Sequence, residues 1–114
     1  MRSLVCIPDK ILIKWLGKKK YIMPSDEGEG IGICAGIYLA TGEPATMAMS
    51  ADGLCNALNP LTSYVIPSGM KMNLVISTGR TEDQHKVMTN ALYKILKAIK
   101  YDPERINITI IPKE

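Results

Sequence analysis

Short apolar runs alternate along the chain with longer segments whose apolar residues recur every three or four positions. Prolines and glycines punctuate the two kinds. Residues 3–7, closed by Pro8, read as a buried strand, and Asp9 is placed to cap a short helix over 10–17 that ends at Gly17. Residues 20–23 give a second strand, stopped at Pro24. Ser25-Asp26 then caps a helix that begins near Glu27 and closes in Thr41-Gly42-Glu43-Pro44. Residues 45–49 read as a third strand, 52–64 as a helix-like stretch interrupted at Pro60, and 70–77 as a fourth strand with Thr78-Gly79-Arg80-Thr81 as its exit loop. The most regular helix is 83–99, with Val87, Met88, Ala91, Leu92, Ile95, Leu96 and Ile99 on one face. Residues 107–111 form a last strand, ended by Pro112.

Five strands alternating with helices predict an α/β fold, a parallel β-sheet flanked by helices on both faces. In such sheets ligands bind beyond the carboxyl ends of the strands. That rule selects four loops: Pro8-Asp9, 25–29, 50–53 and 78–84.

Length changes the picture next. The 114 residues fit one compact domain. A domain of this size buries only about two-thirds of its unfolded surface, so an active site shared with another subunit is easier to build than an enclosed one. The net charge of +3 is too small and too scattered for nucleic-acid binding. Its one basic run, Lys18-Lys19-Lys20, reads as a solvated turn. No window approaches the ~20 apolar residues of a membrane span, and the opening apolar stretch is too short for a secretory signal. Three cysteines, Cys6, Cys34 and Cys55, lack metal-type spacing, and their odd number points to a reducing cytoplasm.

The first candidate for chemistry is Asp26-Glu27-Gly28-Glu29-Gly30. Carboxylates at a helix start suit its positive dipole end, and simple capping accounts for them. The run Gly30-Ile31-Gly32-Ile33-Cys34-Ala35, with Asp52 further on, also fits a loose dinucleotide-binding pattern. The turn before it is long for that pattern, however, and Glu27 and Glu29 would repel a pyrophosphate. The glycines weaken the helix by up to ~1 kcal/mol each relative to alanine, a cost usually tied to close approach of another backbone or a ligand.

The segment from Asp26 to Gly42 resembles the glutamate-bearing helix of the phosphonopyruvate and sulfopyruvate decarboxylases, which depend on thiamine diphosphate. Gly53-Leu54-Cys55-Asn56-Ala57-Leu58-Asn59-Pro60-Leu61-Thr62-Ser63 is similar to a second segment of that family, Ile7-Pro8-Asp9 to its first loop, and Arg80 and Asp83-Gln84-His85 to its Arg-Gly and Pro-Gln-His segments. The likeness runs from about residue 3 to residue 98, with the motifs in order.

The resemblance implies the pyrimidine-binding domain of a thiamine-diphosphate enzyme, with Glu27 as the cofactor-activating glutamate. A carboxyl group bonded to the pyrimidine N1′ promotes the tautomer in which the neighbouring 4′-amino nitrogen acts as a base. That bond needs shielding from water. Gly53, Leu54 and Asn56 would lie near the pyrimidine ring or the substrate entrance. Asp9, Arg80 and His85 would meet the substrate, with the planar fork of Arg80 suited to a sulfonate or phosphonate.

Two departures matter. Ser50-Ala51-Asp52 replaces the family's Gln-Asn-Ser and Cys55 replaces a glycine, which unsettles the substrate contacts of that loop. The Gly-Asp-Gly and Asn-Asn residues that hold Mg2+ and the diphosphate are also missing. The resemblance therefore implies an alpha subunit, cytoplasmic and in a dimer or larger assembly. A beta subunit would carry the Mg2+ and diphosphate site, and the substrate would be a small anionic 2-oxo acid, 3-sulfopyruvate or 3-phosphonopyruvate. The split arrangement leans toward sulfopyruvate and coenzyme M synthesis, whereas Asn59-Pro60-Leu61-Thr62 and Ala40-Thr41-Gly42 lean toward phosphonopyruvate. A trimmed, non-catalytic scaffold is the competing expectation.

Overall fold

The computed structural model describes residues 3–78 and 83–112, the first three of the latter stretch by backbone alone. Four strands, β1 (Leu4–Cys6), β2 (Thr46–Ser50), β3 (Met72–Ser77) and β4 (Ile106–Ile111), form one sheet in the order β1-β2-β3-β4. Every pairing is parallel, with Leu4 opposite Thr46, Thr46 opposite Asn73, and Met72 opposite Ile106. Each connection therefore crosses over through helix: α1 (Lys10–Leu16) and α2 (Glu27–Thr41), then α3 (Leu54–Pro60), then α4 (Asp83–Ala98).

The helices lie on both faces, as the alternation predicts, but unequally. Along β2 the residues Met47 and Met49 enter a large core with Ile31, Cys34, Leu54, Leu61, Leu92 and Leu96, so α2, α3 and α4 share that face. Ala48 points the other way, into a smaller core with Cys6, Leu12, Leu16 and Val75 beneath α1. Helix α1 covers only part of its face. The remainder is an open groove of about 550 Å³ lined by Trp15, Lys19, Thr46, Asn73, Asn107 and Thr109 among others. The amides and hydroxyls there let this part of a parallel sheet face water.

Two sequence expectations need correction. Residues 20–23 do not form a fifth strand. Ile22 makes only an isolated parallel bridge to Val5, with Cys6 N–H donating to the Ile22 carbonyl and Ile22 N–H to that of Leu4. Tyr21, Ile22 and Met23 are all exposed, so no face is buried to extend the pairing, and Pro24 has no N–H to continue it. Nor does Pro60 interrupt the third helical stretch. The chain continues from α3 into a π-helical turn, Leu61–Val65, in which Ile66 N–H donates to the Leu61 carbonyl. The widened turn keeps Leu61 and Val65 in the core. Proline does remove one donor: no N–H at residue 60 serves the Asn56 carbonyl four positions back. Among the described residues no helix is long and apolar enough to cross a membrane.

Candidate functional site

The three carboxylates at the start of α2 do different work. Asp26 is the N-cap, with Oδ1 accepting from the Glu29 N–H at 2.8 Å. Glu29 reaches back, its two oxygens accepting from the Ser25 N–H at 2.9 Å and the Ser25 hydroxyl at 3.1 Å. Together they close a reciprocal cap of the capping-box kind. Both are spent on the helix end, as the capping interpretation requires. Glu27 is not part of the cap: it is 9% exposed and turned toward the start of α3.

There Oε1 of Glu27 accepts from Nδ2 of Asn56 at 2.9 Å. Gly53 makes room for the rest of the side chain. A Cβ on Gly53 would stand 2.5 Å from Oε2, 2.7 Å from Cδ and 2.8 Å from Cγ of Glu27. Residue 53 needs glycine for space rather than for backbone freedom, since its φ is an ordinary −67°. Gly28 does the same on the other side, where a Cβ would lie 2.9 Å from the Asn56 carbonyl oxygen, the acceptor that Pro60 cannot serve. The starts of α2 and α3 thus meet almost backbone to backbone, with one carboxylate between them.

The two carboxylate oxygens are not equivalent. Oε1 is bound to Asn56, whereas no hydrogen bond to Oε2 is formed among the described residues. Oε2 packs against Gly53 at the start of α3. Glu27 is a carboxylate held along its length with one oxygen bonded and the other not, an arrangement suited to binding one donor or passing one proton.

The loop before α3 is also fixed from within. Gly53 N–H donates to the Ser50 carbonyl at 3.1 Å, with Ser50 Oγ at 3.4 Å. Leu54 is fully buried in the large core, where it seats the first turn of α3. Asp9 lies at the carboxyl end of β1. Its Oδ1 accepts from the Ile11 and Leu12 N–H groups, at 3.0 and 2.8 Å, and its Oδ2 from the Ser77 hydroxyl at 2.6 Å. Both oxygens brace the fold, tying the α1 cap to the end of β3. Arg80 lies outside the described residues. His85 stands in the first turn of α4, and its side chain is likewise outside them.

The structure therefore brings together Glu27, Gly53 and Asn56, and gives Asp9 and Leu54 internal partners. Ser50 and Gly28 are part of the same arrangement; the sequence places them in the selected loops 50–53 and 25–29 but assigns neither a role. Gly28 had a signal, as a glycine one step after the key carboxylate, but nothing in the chain says which backbone it faces. Comparison with protein-family models and with curated proteins finds no match for this chain.

Proposed function

We propose that this chain is the pyrimidine-binding, alpha-type subunit of a thiamine-diphosphate-dependent 2-oxo acid decarboxylase acting on 3-sulfopyruvate or 3-phosphonopyruvate. The observation that carries the reading is Glu27: buried at the carboxyl end of the sheet and fixed by Asn56 through Oε1, with no hydrogen bond to Oε2 among the described residues. The donor set fits the aminopyrimidine half of the cofactor and no more. A single oriented carboxyl oxygen matches one ring nitrogen, and the contacts of Gly53 and Gly28 keep its position narrow. When bound, the cofactor would supply the electron sink for loss of carbon dioxide. Glu27 would hold a proton at N1′, Asn56 would keep the carboxyl from rotating away, and the α2–α3 junction would limit water on that side. Mg2+ and the diphosphate would be held by a partner chain closing over Glu27.

The test is co-expression with a chain bearing the Gly-Asp-Gly and Asn-Asn signature, followed by carbon dioxide release from each 2-oxo acid. Glu27→Gln keeps the size and the bond to Asn56 but cannot share its proton in the same way. Turnover is expected to fall by at least about a hundredfold, with assembly, read by co-purification, unchanged. Turnover at the parental rate in Glu27→Gln would defeat the assignment.

One observation favours a second reading, a non-catalytic scaffold. Asp9, implied by the resemblance to meet substrate, has both oxygens engaged within the fold. A complex that assembles and binds thiamine diphosphate, seen as thermal stabilisation, yet releases no carbon dioxide from either acid would support it.

A further inference from the structure

The outer edge of β4 is bare among the described residues: β4 is the last strand of the sheet, and β3 alone pairs with it. Natural edges are blunted by lysine, proline, a bulge or a covering segment. This one runs Ile106-Asn107-Ile108-Thr109-Ile110-Ile111, with no charge, no proline before Pro112 and an unbroken register against β3.

The hydrogen bonds fix which groups face out. Met72 N–H donates to the Arg105 carbonyl and Thr78 N–H to that of Ile111. In a parallel ladder the odd-numbered residues of β4 therefore turn their backbone groups to β3, and the even-numbered ones turn theirs outward. Of these, Ile106 has its N–H taken by the Asp102 carbonyl at 2.9 Å, and Pro112 has none. Ile108 and Ile110 remain, each presenting one donor and one acceptor.

We propose that β4 pairs antiparallel with β4 of a second copy of this chain, about a two-fold axis at Thr109. A two-fold axis perpendicular to the sheet places residues of equal parity opposite each other, because opposed side chains share a face. Centring on Thr109 sets Ile108 against Ile110 of the other copy in both directions. That uses every outward donor and acceptor of these residues in four bonds. The same register sets Ile106, its N–H already spent, against Pro112, which has no N–H, so the ladder closes at both ends without stranding a donor. Centring on Ile108 instead would leave the Ile110 carbonyl facing an Ile106 N–H already committed to Asp102. On the face packed by α2, α3 and α4 the pairing joins the half-buried Ile108 and Ile110 into one isoleucine row, and on the α1 face it sets exposed Thr109 against itself. The result is a continuous eight-stranded sheet. This inference does not depend on the proposed activity.

The experiment uses the 114-residue chain with Cys55→Ser, which removes the one exposed thiol. Sedimentation should show a concentration-dependent dimer. Residues opposed at a non-hydrogen-bonded position have Cα atoms about 4.5 Å apart, within disulfide range. Thr109→Cys should therefore cross-link to itself on mild oxidation, whereas Asn107→Cys, opposed to Ile111, should not. Thr109→Lys sets two like charges face to face on an exposed position that leaves the monomer intact. It should weaken the dimer about fivefold. A monomer at every concentration, or equal cross-linking of the two cysteine variants, would overturn the proposal. So would a dimer that Thr109→Lys leaves unweakened.

Discussion

At the scale of single residues, the site depends on an atom that is missing. Gly53 has no Cβ, and Glu27 occupies the space one would fill. The group in the way is a side-chain carboxylate rather than backbone, so Gly53→Ala should fold, but by displacing Glu27 and breaking its bond to Asn56. Overpacking of this kind costs about 1–3 kcal/mol. Denaturant unfolding should show a loss in that range, and the same change in a Glu27→Ala background should cost clearly less, because the clashing group has gone. Equal losses in the two backgrounds would mean that Glu27 does not occupy that space. This pair also marks how far the sequence could be read. Glu27 stood out as a carboxylate at a helix start, and Gly53 and Asn56 through family likeness. That Gly53 abuts the carboxylate while Leu54 fills the core could not be read from the chain, because both depend on the rotation of α3 about its own axis.

At the scale of elements, α2 holds its glycines for unequal reasons. Gly30 is needed for packing: a Cβ there would stand 2.5 Å from Sδ and 2.7 Å from Cε of Met47, which is fully buried under the helix. Gly36 meets nothing within 4 Å, and its φ is not positive. Gly36→Ala should therefore stabilise the protein by about 0.5–1 kcal/mol through the lower entropy of the unfolded chain. Gly30→Ala should destabilise it by about 1–3 kcal/mol. Opposite shifts in the urea midpoint at unchanged slope are the expected result, and shifts of the same sign would refute the packing argument. Element boundaries were largely legible because caps announce them: Asp9 and Gly17 bracket α1, and Asp26 and Gly42 bracket α2. Residues 20–23 looked like a strand because Tyr21, Ile22 and Met23 suit one, but local pattern cannot reveal that no layer covers them. Pro60 looked like a break because the sequence does not show that a wider turn can absorb it.

At the scale of the whole molecule, the sheet separates two cores of different size, and each contains one cysteine. Cys34, on α2, belongs to the large core, and Cys6, on β1, to the small one under α1. Burial pushes both thiols up from an ordinary 9.0 to about 12, with Asp9 adding a repulsive charge beside Cys6. Between those two values the unfolded chain loses thiol protons that the native protein keeps. Stability from this source is therefore complete below about pH 9 and falls as pH rises toward 12. Replacing both residues with alanine should flatten that alkaline decline. The same thiols report how independently the two layers open. At pH 8 the native protein should expose only Cys55 to a thiol reagent, with all three reacting after denaturation. In urea below the unfolding midpoint Cys6 should label before Cys34. Its cover is the seven-residue α1, whose buried contacts are chiefly Leu12 and Leu16, whereas Cys34 sits on the fifteen-residue α2 and belongs to the larger core. Labelling of both at one rate, equal to that of global unfolding, would show instead that the bond from Ser77 to Asp9 ties α1 to the sheet firmly enough for the two cores to open together.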